Sequence, residues 1–497
     1  MFVPCKIWPL ISLLLLTQPP QACNILPPSP QDAAASATLL LRPRLSKDAQ
    51  IFLPGSPGYA NATRRWSTLF SPSLSLIVAP RTEHDIQSTI QYAHAHALPF
   101  LAIGGRHGVA QALNNARNAI GIWTRSMRAI TLHDDTFFEE EDGTRYTTAT
   151  VEPGVQAGEL TSTLHARGQT AASTACDCGR YGLVLDNLVS ASLVTADGRR
   201  VVTASRTQNA DLFWALRGAG HNFGVVASVE YRVFDRRPET DEWAYEEYVF
   251  SHDRLEGVYE VANGMIGGPV ELTHYGHFER RPGVDAEHAP RPLPIHRPLR
   301  ALGPLSTKRG VVDITQLNGV AGANLSSPFC DYGAEVLMSP TSLRKWNVTA
   351  LRRAFEVFAA LPPWLHRSAA LLEGYATKAV QAVREADTAY PDRFNNLLVS
   401  PVMIADRGID EGKEAGGGNG TRKPDLRAEM KEYADRFREA LLEGSGDDKL
   451  YAYVNYASGD EGLEAIYGYD QWRLEKLRRL KQIWDPEGRM DFYNPIS

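Results

Sequence analysis

Cysteine is scarce in this chain, with five in 497 residues: Cys5, Cys23, Cys176, Cys178 and Cys330. So few cysteines in a chain this long exclude a disulfide-built scaffold. Cys176-Asp-Cys178 has no neighbouring Cys/His pair, so no metal site is expected. Positive charge is not in excess either. Fifty-two Lys and Arg stand against 58 Asp and Glu, a net charge of −6, which supplies no basic field for nucleic acid. Beyond the N-terminus no apolar run is long enough for a membrane span, and neither a nucleic-acid nor a membrane partner is expected. No internal repeat is present. No glycine cluster is followed by G-K-[ST], which excludes a phosphate loop. What remains is an ordinary globular composition, 43% hydrophobic and 22% charged, with room for two or three domains.

Residues 1–22 read as a secretory signal. Lys6 supplies the positive charge, IWPLISLLLL is a short apolar core, and PPQA ends on a small residue before Cys23. Four N-x-[ST] triplets, at Asn61, Asn324, Asn347 and Asn419, agree with export and predict a secreted, extracellular glycoprotein.

Residues 50–232 mix strand and helix patterns. SLSLIVAP (73–80), PFLAI, NAIGIWT and YTTATVEPG read as strands, and residues 83–98 carry apolar positions at helical spacing. VQAGELTSTLHARG reads as a helix closed by Gly168. LVSASLVTADGRRVVTAS is a hairpin turning at Asp197-Gly198. From 235 to 450 aromatic strand-like runs such as DEWAYEEYVF and GVVDITQLNGV mix with helices such as SLRKWNVTALRRAFEVFAAL. In residues 451–497, YAYVNY reads as a strand, and the helix that follows stops at Asp485-Pro486. The fold class is α+β rather than a βαβ repeat.

Three stretches offer chemistry. GGRHG, with Gly104, Gly105, His107 and Gly108, follows a strand, where missing Cβ atoms let backbone approach a flat or anionic ligand; a tight turn would account for the same glycines. RGAGHNFG holds Gly218, Gly220, Asn222 and Gly224 at G-x-G-x-x-x-G spacing, one residue off the dinucleotide fingerprint and behind a helix rather than a strand, so no nicotinamide site is read here. On a strand, Tyr453 and Asn455 would share one face and Tyr456 the other.

Taken together, SLIVAPRTEHDIQSTIQYA, PFLAIGGRHG, YGLVLDNLVSASLVTADG, DLFWALRGAGHNFGVV, YVNY and RLEKLRRLKQIWDP resemble the FAD-linked oxidases of the vanillyl-alcohol oxidase type, closest to the berberine-bridge-enzyme-like subgroup. The resemblance runs from about residue 60 to the C-terminus and is loosest between 235 and 380. It implies a two-part FAD-binding domain of the PCMH type (50–232), a substrate domain (235–450) with an antiparallel sheet backed by helices, and a C-terminal segment (451–497) returning to the FAD domain. It places His107 at the position bonded covalently to the flavin 8α carbon, although Ile103 and Arg106 depart from the common pattern there. Gly104, Gly105 and Gly108 would cradle the pyrophosphate. Gly218, Gly220, Asn222 and Gly224 would lie along FAD, with Val226 near the adenine. Tyr456 matches the general base of some members, Tyr453 is a second candidate, and Asn455 matches a residue near the flavin. A phenol of pKa near 10 needs a cationic or strongly donating neighbour to serve as a base, and the sequence identifies none.

One departure stands out. Cys176 best fits the position of a second flavin bond, but the long glycine-rich stretch expected after it is reduced to seven residues between Cys178 and Asp186. The leading expectation is a secreted FAD-dependent oxidase that takes hydride from an alcohol or related C–H donor, an oligosaccharide or a secondary metabolite, and returns the electrons to oxygen as hydrogen peroxide. The alternative is a noncatalytic secreted protein of the same fold that has lost FAD through the shortened stretch.

Overall fold

The computed structural model describes residues 37–139, 143–172, 178–236, 242–278, 297–323, 327, 330–405 and 426–496. The signal, Cys176, Asn324 and Asn419 lie outside these residues.

Four strands form the first sheet: β1 (Gln50–Phe52), β2 (Leu74–Ala79), β3 (Phe100–Ile103) and β4 (Ala119–Trp123), in the order β1-β2-β4-β3. β4 runs parallel to both β2 and β3, and β1 is antiparallel to β2. Such parallel pairing needs a crossover, and the helix Glu83–Ala95 supplies one, opened by a Thr82/Asp85 capping box. A second, antiparallel sheet holds β5 (Ile130–Glu139), β6 (Arg145–Val151), β7 (Gln169–Thr170), β8 (Leu188–Thr195), β9 (Val201–Ser205) and β10 (Gly224–Asp235). β8 and β9 form the hairpin read at Asp197-Gly198, with Gly198 at φ 68°. The two sheets share a core in which Ile86, Ile90 and Ala93 of the helix pack with Ile120, Ile122, Val194 and Val225.

Seven more strands follow: β11 (Trp243–Val249), β12 (His274–Phe278), β13 (Ser306–Val312), β14 (Glu335–Met338), β15 (Thr341–Leu343), β16 (Ala369–Gly374) and β17 (Leu397–Ala405). Among the described residues β11 pairs with β13 alone, while β12-β16-β17-β14 and β15 make an antiparallel sheet of five. Strand alternation gives this sheet two faces. One packs Phe278, Leu372, Val399 and Met403 under helices Leu255–Asn263, Val348–Ala359 and Leu426–Leu442. The other packs Val336, Met338, Val402 and Ile404 with Val109 of the glycine loop.

Three local expectations give way. YAYVNY is a turn: Tyr453 O accepts from the N–H groups of Tyr456 (2.9 Å) and Ala457 (3.0 Å), so the alternation of tyrosines does not signal a strand. GVVDITQLNGV is strand only to Val312, because Asp313 caps the helix Ile314–Val320. The helix expected from Ser342 begins at Val348, where Asn347 Oδ1 accepts from the N–H groups of Thr349 and Ala350.

Asp186, at the turn before β8, forms a bidentate ion pair with buried Arg393, 2.7 Å for each bond, tying the second sheet to the segment before β17. Gly218 does a related job. Its φ is 144°, and a Cβ there would lie 2.3 Å from Tyr390 N. Gly104, in contrast, has nothing within 4 Å of an added Cβ. Gly218→Ala is therefore expected to destabilise the chain by more than about 1 kcal/mol, and Gly104→Ala to melt with the wild type. Equal thermal melts for the two variants would contradict this assignment.

Candidate functional site

The glycine loop leaves β3 at Ile103. Its left-handed residue is Arg106, at φ 63°, not a glycine, a conformation that costs a non-glycine residue of order 1 kcal/mol. The side chain is held on all sides: its guanidinium donates to Asn61 O and lies 5.7 Å from the ring centre of Trp123 and 5.1 Å from that of Tyr332. Gly104 and Gly105 are exposed, and no atom lies closer than 4.0 Å to a Cβ built on either. Gly108 is different: a Cβ there would meet Tyr493 Cε2 at 2.7 Å, and its carbonyl accepts from Arg65 Nη2 at 2.6 Å.

His107 presents its ring at this open backbone. Partial burial, then the positive charges of Arg106 and Arg65, push its pKa below the ordinary imidazole value, so the ring is neutral at pH 7 and its lone pair is available. Nε2 lies 3.2 Å from Tyr332 Oη, and the Trp66 ring centre is 6.3 Å from that of the imidazole.

The second glycine segment is committed to packing. Gly224 faces Val194 O, which an added Cβ would approach to 2.6 Å, and Gly220 faces Leu216. Val226 is half-buried against the core under helix Ala210–Ala219. Asn222 is fully buried; its Nδ2 donates to Tyr467 Oη at 3.1 Å and its Oδ1 accepts from Ile496 N at 3.2 Å. The geometry thus accounts for Gly218, Gly224 and Asn222 without a ligand. Tyr493, which sequence reasoning missed, links this segment to the rest of the site. Its ring is 5.3 Å from that of His221, it abuts Gly108, and its hydroxyl reaches Asn455 O at 3.4 Å.

The turn at 453–456 brings both tyrosines together, ring centres 5.3 Å apart. Exposed Asn455 donates through Nδ2 to Tyr453 Oη at 2.7 Å. Tyr456 Oη donates to Glu373 Oε1 at 3.0 Å, and Tyr375 Oη donates to the other carboxylate oxygen. The neighbour of Tyr456 is therefore a carboxylate rather than the cation its ionisation would need. Burial, then the charge of Glu373, raise the Tyr456 pKa well above 10. Burial likewise raises Glu373 above the usual carboxylate value, against the bonds from Tyr375 and Tyr456. Tyr456 and Trp66 both pack against the apolar cluster that includes Val109, which puts the pair and the His107 loop on one cluster. A lone acid in the apolar run AALLEGY is the signal that marks Glu373.

These residues fit a flavin. Open glycine backbone lies next to a neutral nucleophilic imidazole, and Nε of Arg65 and Nε of Arg106 are buried without a hydrogen-bond partner among the described residues, leaving donors for an anionic group. Among the described residues no three His, Cys, Asp or Glu side chains gather to hold a metal ion, and no helix is long and apolar enough to cross a membrane.

Comparison with known proteins agrees with this geometry. Residues 74–179 match the FAD binding domain family. The chain is 32% identical over 492 residues to the FAD-linked oxidoreductase anuG of Penicillium roqueforti, covering 92% of this chain and 91% of that one. Its fold is similar to that of xylooligosaccharide oxidase from Myceliophthora thermophila C1 (TM-score 0.71, 19% identity, 93% and 99% of the two chains). It is also similar to glucooligosaccharide oxidase from Acremonium strictum, which carries a 6-S-cysteinyl, 8α-N1-histidyl FAD (TM-score 0.68, 18% identity, 93% and 98%). With its fold, its glycine loop and its full-length likeness in agreement, the chain belongs to the FAD-linked oxidoreductases.

Proposed function

We propose that this protein is a secreted oxidase that takes hydride from an alcohol carbon of a small substrate, an oligosaccharide or a secondary metabolite, onto FAD held covalently by His107, with dioxygen as the final acceptor and hydrogen peroxide as product. The observation that carries the proposal is the Tyr456–Glu373 hydrogen bond on the sheet face turned toward the His107 loop. When bound, FAD supplies the hydride acceptor and the route for electrons to oxygen.

The chain's own residues supply binding and proton transfer. Gly104 and Gly105 offer backbone approach, and Arg65 and Arg106 offer positive charge. A hydroxyl losing hydride from its carbon must also lose its proton. Tyr456 does not ionise alone at neutral pH, but it can accept that proton while passing its own to Glu373 Oε1. Tyr375 stabilises the waiting carboxylate through the other oxygen. Exposed Tyr275, whose ring stands edge-on to Tyr375 at 5.7 Å, offers an aromatic surface to the substrate. The intact imidazole and the paired carboxylate favour this reading over a noncatalytic protein, despite the shortened stretch at 178–186. Exposed Asn61 suits a glycan in an exported protein, whereas Asn347 already donates through Nδ2 to Gly444 O at 2.9 Å.

Two outcomes follow. His107→Ala removes the flavin colour that survives acid precipitation; colour retained in that variant would refute the tether. Glu373→Gln keeps its flavin but lowers the rate of anaerobic flavin bleaching by substrate about 10²–10⁴-fold. Because the carboxylate form is required and its pKa is raised, wild-type kcat/KM falls as pH drops through a value above 4.5, and that acid limb is missing in the variant. An unchanged bleaching rate and pH profile would exclude the relay.

A further inference from the structure

Tyr332 reaches the glycine loop from a segment 225 residues away. Its hydroxyl makes two contacts there, both 3.2 Å: to His107 Nε2 and to Gly105 O. A phenol has one proton, and a carbonyl oxygen can only accept. With that proton on Gly105 O, the contact to Nε2 is a hydrogen bond only if Nε2 carries the hydrogen. The opposite arrangement would set Oη and the carbonyl oxygen lone pair to lone pair. The ring has little freedom to leave this position. The guanidinium carbons of Arg64 and Arg106 lie 5.4 and 5.1 Å from its centre, and the following Gly333 N donates to Arg65 O at 2.9 Å.

We infer that Tyr332 is a positioning residue for flavin attachment, fixing His107 as the Nε2–H tautomer so that the Nδ1 lone pair is the one presented to the flavin. The inference rests on the covalent tether proposed above. In the attachment step the 8α methyl group of oxidised flavin gives up one proton to a base. Nδ1 then forms the new C–N bond to that carbon, and the two electrons left behind reduce the flavin ring. The imidazolium so formed loses its Nε2 proton. Dioxygen takes the two electrons and two protons as hydrogen peroxide, restoring oxidised flavin. Tyr332 enters none of these bonds; it holds the ring and decides which nitrogen is nucleophilic.

The test uses the full chain produced under riboflavin starvation and then mixed with FAD. The readouts are the rate at which colour becomes resistant to acid precipitation and the ¹⁵N shifts of His107. The wild type is expected to show Nε2 protonated and Nδ1 bare before FAD is added. Tyr332→Phe, which keeps the ring and loses the hydroxyl, should mix the tautomers and slow attachment tenfold or more, with final flavin binding unchanged. Attachment at the wild-type rate in Tyr332→Phe, with His107→Ala still failing to attach, overturns the inference and leaves the tether standing. Attachment in His107→Ala refutes the tether itself. Should Tyr332→Phe fail to fold, the wild-type spectrum decides alone: hydrogen on Nδ1 overturns the inference.

Discussion

A carboxylate on the inner face of a β-sheet is stable only when its oxygens are paired, and Glu373 obtains both partners from tyrosines. Tyr375 comes from two residues along the chain, and Tyr456 comes from the C-terminal turn. That second bond joins the five-stranded sheet to a segment 83 residues further on. It therefore helps hold the turn against the sheet face that also packs Val109 of the glycine loop. An unpaired acid in that place would cost several kcal/mol, so Glu373's need for donors adds to the bonds of Ser342 N to Tyr451 O and of Ser458 Oγ to Met338 O that also join sheet and C-terminal segment.

The same bond changes the meaning of Tyr456. A buried phenol beside a carboxylate is a poor base by itself: burial, then the charge of Glu373, raise its pKa, while burial raises Glu373 against the bonds that the tyrosines donate. In the proposed relay the pair would take up a proton without creating a bare phenolate, and Glu373 would lose its negative charge as it becomes protonated. His107 is handled in the opposite sense. Partial burial, then the charges of Arg106 and Arg65, lower its pKa and keep it neutral, which suits a nucleophile. The site thus holds two environments of opposite charge, with arginines around His107 and the carboxylate of Glu373 beside Tyr456.

Much of this was legible in the sequence, for identifiable reasons. Periodicity located β2, β3, β4 and the helix between β2 and β3, and Asp197-Gly198 located a hairpin, because each rests on local geometry. The bare backbone before His107 was legible because the glycines stand in the sequence itself, although a tight turn would use them equally well. Glycines elsewhere are ambiguous: close packing against Tyr390 selects Gly218 just as a ligand would. YVNY misled because alternation also arises in a turn, and a turn returns Tyr453 and Tyr456 to the same side. Tyr332 and Tyr493 were illegible as site residues, and Glu373 left only the faint mark of a lone acid in an apolar run. Each arrives from a distant part of the chain, so only the tertiary fold sets its neighbours.

The central claim is that the substrate proton ends on Glu373. Time-resolved infrared difference spectroscopy during a single anaerobic turnover addresses it directly. The account predicts a protonated-carboxyl stretch that grows in step with flavin bleaching and is absent in Glu373→Gln. Bleaching with no carboxyl signal, or a signal that persists unchanged in that variant, would contradict it.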